Sequence, residues 1–182
     1  MRDPHVAALE YRLETRGALT FDHPPAITRE TADYHLRLAD GLLRVELKGH
    51  HASEQTAQSL VEPYLRAWEI EADLAFAGPA IVFSFLRAEV VDRDPPKGEA
   101  VNDTLAFEQG IGVTKASVAR VQPAYPAPPE QFVASPDVIT MWSRYQMYRD
   151  GRDQLLSMAY ACLSLLEGTT GKKKGSHEAV CE

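Results

Sequence analysis

The dipeptide Asp40-Gly41 stands between two runs, Tyr34–Ala39 and Leu42–Leu47, in which apolar and polar side chains alternate. Asp-Gly readily takes the two positive φ angles of a two-residue hairpin turn. Alternation with a period of two then puts Leu36 and Leu38 on one face and His35 and Arg37 on the other. A chain with such a hairpin has to build a sheet with one covered face, and the rest of the sequence is read for what completes and covers it.

Residues 6–13 interleave apolar and charged residues and are expected to form another strand, while residues 21–32, with Pro24-Pro25, are expected to be a loop. Ser59 and Glu62 have the spacing of a helix capping box, with Pro63 in the first turn. Leu60, Tyr64, Leu65, Trp68, Ala72 and Ala75 continue at helical spacing, and Gly78-Pro79 ends the helix. Residues 80–86 are β-branched and aromatic on both faces, which predicts a central strand continuing through Val90-Val91. Residues 92–99, with Pro95-Pro96, read as a loop, and residues 113–121 as a further strand.

The last third has a different character. Pro123, Pro126, Pro128, Pro129 and Pro136 make residues 123–136 a semi-rigid connector. Ser135-Pro136-Asp137 then supplies an N-cap, a first-turn proline and an acid at the positive end of a helix. Val138, Ile139, Met141, Trp142, Tyr145 and Tyr148 form its apolar side, Asp150-Gly151 breaks it, and a second helix runs from about Arg152 to Glu167, ended by Gly168. The expected class is α+β, with an antiparallel or mixed sheet packed on one long helix in residues 1–122. The connector, an α-hairpin over 137–168 and a polar tail over 169–182 follow.

Composition narrows the function classes. The chain has 182 residues, 45% hydrophobic and 25% charged, as expected of a globular protein that folds on its own core. Its formal net charge is -7, and its one basic run is Lys172-Lys173-Lys174 in the polar tail, which argues against a nucleic-acid partner. Cys162 and Cys181 make neither a disulfide framework nor a paired metal motif. The opening residues are polar and no apolar run reaches the roughly 18 residues of a membrane span, so a cytoplasmic protein is expected.

The second helix of the hairpin is apolar nearly all round, through Leu155, Leu156, Met158, Tyr160, Cys162, Leu163, Leu165 and Leu166. Such a helix has to be covered on every side, and one partner helix with one sheet face covers about half of it. Leu155, Leu156, Tyr160, Leu163 and Leu166 are therefore the candidate association residues. The expected partner for residues 138–166 is a second copy of the chain, as a two-fold dimer, or another protein.

Signs of chemistry are sparse. His50-His51, with Glu54 close behind, offers imidazoles, but neighbours on an extended segment point apart and no third ligand follows at metal-site spacing. Glu89, Asp92, Arg93 and Asp94 gather charge at a strand end, where acid–base residues commonly sit. Trp68, Phe83 and Phe85 would line a pocket if the helix arched over the sheet. Gly110-Ile111-Gly112 lacks the third glycine of a dinucleotide fingerprint, and the sequence has neither a phosphate-binding loop nor a nucleophile elbow. No cofactor and no metal site are expected. Two readings follow: a non-catalytic binding or assembly module using the α-hairpin, and an enzyme with acid–base residues around Asp92 or His50 and His51.

Overall fold

The computed structural model describes residues 3–94, 120–130 and 133–169. The chain divides into two compact units between Val133 and Ala134. The first unit is built on a five-stranded antiparallel sheet. In chain order its elements are β1 (Pro4–Thr15), β2 (Leu19–Phe21), β3 (Ile27–Glu30), β4 (Tyr34–Ala39), β5 (Leu42–Leu47), α1 (Glu54–Ala75), β6 (Ile81–Asp92) and β7 (Arg120–Gln122). The large sheet has the order β3-β4-β5-β1-β6, and β2 and β7 form a separate parallel pair.

The hairpin stands where the alternation puts it. Asp40 and Gly41 take φ of 51° and 74°, both in the left-handed region that a tight two-residue turn needs. Leu36 pairs with Val45 and Leu38 with Leu43, and all four are fully buried beneath α1. Leu9, Tyr11 and Leu13 of β1 continue the same face. Across β1 and β6 the register slips twice, leaving Ala7 and Leu86 as extra, unopposed residues. Such bulges re-aim the chain without breaking the pairing.

Three expectations are corrected. Helix α1 starts more than a turn before Ser59: Ser53 is the N-cap, its side chain accepting from the Thr56 N–H. Ser59 instead donates its hydroxyl to the Gln55 carbonyl, and Pro63 lies inside the helix. An interior proline costs about 3 kcal/mol, and burial of Tyr64, Leu65 and Trp68 on the following turns offsets it. Residues 81–86 lie in β6, which is an edge strand and not a central one. Its bareness on that edge is relieved by α1: Glu69 accepts the Phe83 N–H at 2.7 Å and Asp73 accepts the Ala80 N–H at 2.8 Å. Within residues 21–32, the short strand β3 pairs with β4. Of the strand expected over 113–121, residues 113–119 lie outside the described residues, and β7 occupies 120–122.

Residues 125–130 of the proline-rich segment are fastened to the rest of the first unit. Tyr125 is buried against Phe21, with ring centroids 5.0 Å apart, and its hydroxyl accepts the Gly41 N–H at 2.8 Å. Trp68 Nε1 donates to the Pro126 carbonyl, Tyr64 to Pro129 and Arg29 to Glu130. Outside any helix or strand ladder, the Pro126 and Pro129 carbonyls take these side-chain donors of α1 as partners.

The second unit contains α2 (Pro136–Arg149) and α3 (Leu155–Thr169). Ser135 caps α2 and Gly151, at φ 71°, turns the chain towards α3, as the sequence reading expects. No residue of α2 is fully buried. Among the described residues, no helix is long and apolar enough to cross a membrane.

Two tyrosines give opposite tests of this packing. The Tyr11 hydroxyl is buried with no hydrogen-bond partner among the described residues, so Tyr11→Phe is expected to leave the urea midpoint unchanged or raise it. Tyr125→Phe removes the acceptor of the Gly41 N–H and is expected to cost about 1 kcal/mol in the same titration.

Candidate functional site

Because β1 and β6 are antiparallel, the start of one lies beside the end of the other, with Pro4 opposite Asp92 and His5 opposite Val91. The segment leaving β5 passes the same place, where the Val6 N–H donates to the His51 carbonyl at 2.9 Å. Five of the charged or imidazole residues singled out in the sequence therefore meet at one end of the sheet: His50, His51, Asp92, Arg93 and Asp94. The structure adds Asp3 and His5, which the sequence reading missed. Their only signal is position, since an antiparallel partner for β6 brings the first residues of β1 alongside.

The contacts in this cluster are specific. His50 Nε2 lies 3.1 Å from Asp3 Oδ1, and the rings of His5 and His50 stack with centroids 5.4 Å apart. The His51 backbone N–H points at His5 Nδ1 at 3.4 Å, which assigns the neutral His5 proton to Nε2. Asp92 Oδ1 accepts the N–H groups of Asp3 and Asp94, both at 3.1 Å, and the Arg93 N–H donates to the Asp3 carbonyl. Burial, followed by the nearby charges of Arg93, His50 and His51, holds the His5 pKa below its ordinary value. His50 is 40% exposed with a carboxylate behind it, an arrangement able to take or give a proton at the surface. Among the described residues, no three His, Cys, Asp or Glu side chains are grouped to hold a metal ion.

Glu89 does not join this cluster. It lies on the sheet face opposite α1, where Arg44 Nη2 reaches it at 2.6 Å. Arg44 and Arg87 also clasp Glu10, at 2.9 and 2.7 Å, covering it with guanidinium groups. The hydrogen bond from Arg87 leads the effects that hold the Glu10 pKa below the usual carboxylate range. Glu69 is the opposite case, on the buried face of α1, and its pKa is raised by that burial despite its bonds to Phe83 and Arg66.

Of Trp68, Phe83 and Phe85, the first two are in ring contact, and Phe85 follows two residues along β6. Trp68 is wholly buried with its ring 5.0 Å from that of Phe83, and Phe85 packs edge-on against Tyr11 at 5.5 Å. A cavity of about 460 Å3 opens elsewhere, among Arg16, Gly17, Leu19, Phe76, Pro79 and Arg120.

In the second unit, the five candidate association residues are all exposed: Leu155 by 55%, Leu156 by 82%, Tyr160 by 68%, Leu163 by 59% and Leu166 by 47%. At 100° per residue they span an arc of about 140° on α3. Met158, Ala161, Cys162 and Leu165 fall on the other side of the helix and are half-buried. Comparison with known protein families, with curated proteins and with solved structures finds no match to this chain.

The depressed His5 pKa gives the sheet end a pH dependence of known sign. Unfolded His5 binds a proton near 6.5, whereas folded His5 binds it at lower pH, so unfolding takes up a proton between the two values. Its contribution to stability is present above 6.5 and is lost as pH falls from there to the folded pKa. The urea midpoint is expected to drop between about pH 7.5 and about pH 5, and His5→Gln, which keeps an acceptor for His51, to show a smaller drop.

Proposed function

We propose that this chain is a binding and assembly module whose association element is the α2–α3 hairpin, with a second copy of the chain as partner. The exposed arc of α3 carries this reading. Burying a leucine side chain gains roughly 1.5–3 kcal/mol, so an arc of four leucines and a tyrosine left in water forgoes a large stabilisation. Contiguous apolar patches of this kind mark interaction sites on soluble domains.

The self-partner is argued from charge. The stretch 155–166 contains no Asp, Glu, Lys or Arg, although the chain carries a formal net charge of -7. Two copies of α3 can meet about a two-fold axis near Tyr160 and Leu163 without opposing like charges, the condition an isologous contact requires. A free, half-buried Cys162 beside Met158, with 3.9 Å between the sulfurs, suits a reducing compartment and a cytoplasmic setting for the assembly.

A second reading has its own observation. The convergence of His50, His51 and Asp92 with Asp3 and His5 favours an acid–base centre at the sheet end, in which His50 exchanges the proton and Asp3 orients its ring.

The assembly reading is tested by sedimentation equilibrium of the full chain and of Leu156→Glu/Leu163→Glu. A dimer is expected for the unaltered chain and a monomer with the same helical circular dichroism for the variant. A monomeric unaltered chain at about 100 μM, a concentration well above the dissociation constants of specific dimers, ends the proposal.

A further inference from the structure

The cavity of the first unit is formed where three connections meet: the β1–β2 turn, the end of α1 with the approach to β6, and the start of β7. Its floor and walls are apolar, from buried Leu19 and Ala80 and half-buried Phe76. Gly17 lets the β1–β2 turn close at φ 69°, a left-handed angle that a side chain would strain. At about 460 Å3 the cavity is of the size that small-molecule sites occupy.

Its polar lining includes two guanidinium groups, Arg16 and Arg120. Among the described residues neither has a carboxylate within ion-pair distance. Of the buried acids on α1, Glu69 feels the charge of Arg16, but both Glu69 and Asp73 are bonded elsewhere. Glu69 holds the Phe83 N–H and Arg66, and Asp73 Oδ1 holds the Ala80 N–H. The last carbonyls of α1 also face this end, and the Phe76 oxygen accepts from Arg120 Nη1 at a long 3.4 Å. Among the described residues, most of the donors of Arg120, and those of the Arg16 side chain, meet no acceptor at hydrogen-bond distance.

We propose that this cavity binds a small oxyanion, a carboxylate or a phosphate monoester, carried on an apolar body. Arg16 and Arg120 take the anionic group through charge-assisted hydrogen bonds, for which the planar guanidinium fork is suited. Leu19, Phe76, Pro79 and Ala80 take the apolar body. The site lies wholly within the first unit and is independent of the assembly role given to α3.

The test is titration of the full chain with benzoate, phenyl phosphate and neutral benzamide, followed by amide NMR and calorimetry. Both anions, or one of them, are expected to bind saturably and to shift the amide signals of Gly17, Ala18, Gly78 and Ala80, with benzamide at least tenfold weaker. A preference for phenyl phosphate assigns a phosphate monoester, and a preference for benzoate assigns a carboxylate. Arg16→Gln and Arg120→Gln, both at exposed positions and so expected to fold, should each weaken binding about tenfold. Absence of binding by both anions, benzamide binding as tightly as benzoate, or arginine variants that bind like the unaltered chain would each overturn the assignment.

Discussion

Trp68 is where the parts of the first unit are joined. Its ring is withdrawn from water between Tyr64 on the same helix and Phe83 on the sheet, and its Nε1 reaches the Pro126 carbonyl outside both. A tryptophan is suited to this because it combines a large apolar body with one polar handle that has to be matched when buried. Helix, sheet and proline-rich segment are thereby held by a single side chain. The segment repeats the device with Tyr64 and Pro129 and with Gly41 and Tyr125, so three of the four polar ties along it run to buried or half-buried groups.

The sequence made the local elements legible and left their neighbours obscure. The Asp40-Gly41 hairpin, the apolar side of α1 and the α2–α3 turn at Gly151 were all readable because turn chemistry and periodicity act within a few residues. The position of β6 was not. Its apolar character suggested a strand flanked on both sides, whereas α1 offers Glu69 to its backbone and Asp73 to that of Ala80 just before it. The start of α1 was misplaced for a related reason: Ser59 and Glu62 have the spacing of a cap, but Ser53 stands one turn and a half earlier and Pro63 is tolerated inside the helix.

The candidate sites follow the same division. His50, His51, Asp92, Arg93 and Asp94 could be picked out by residue type, but Asp3 and His5 become members only once β1 is known to pair with β6. Of the aromatic residues expected at the helix–sheet contact, Trp68 packs on Phe83, and Phe85 packs on Tyr11. The exposed arc of α3 was legible from composition alone, since a helix without a polar side has too few neighbours in a hairpin of two.

The strand order carries a consequence for the order of assembly. Strands β3, β4 and β5 are consecutive in the chain and adjacent in the sheet, so their pairing closes only short loops. Strand β1, which emerges first, sits between β5 and β6 and aligns Leu13 with Phe83 across the whole of the intervening chain. Loop closure makes such distant pairings slow to form. The molecule is thus organised so that the middle of the large sheet can be made early, while β1 waits for β6, and the ring of Trp68 closes over a sheet completed by the last of its five strands.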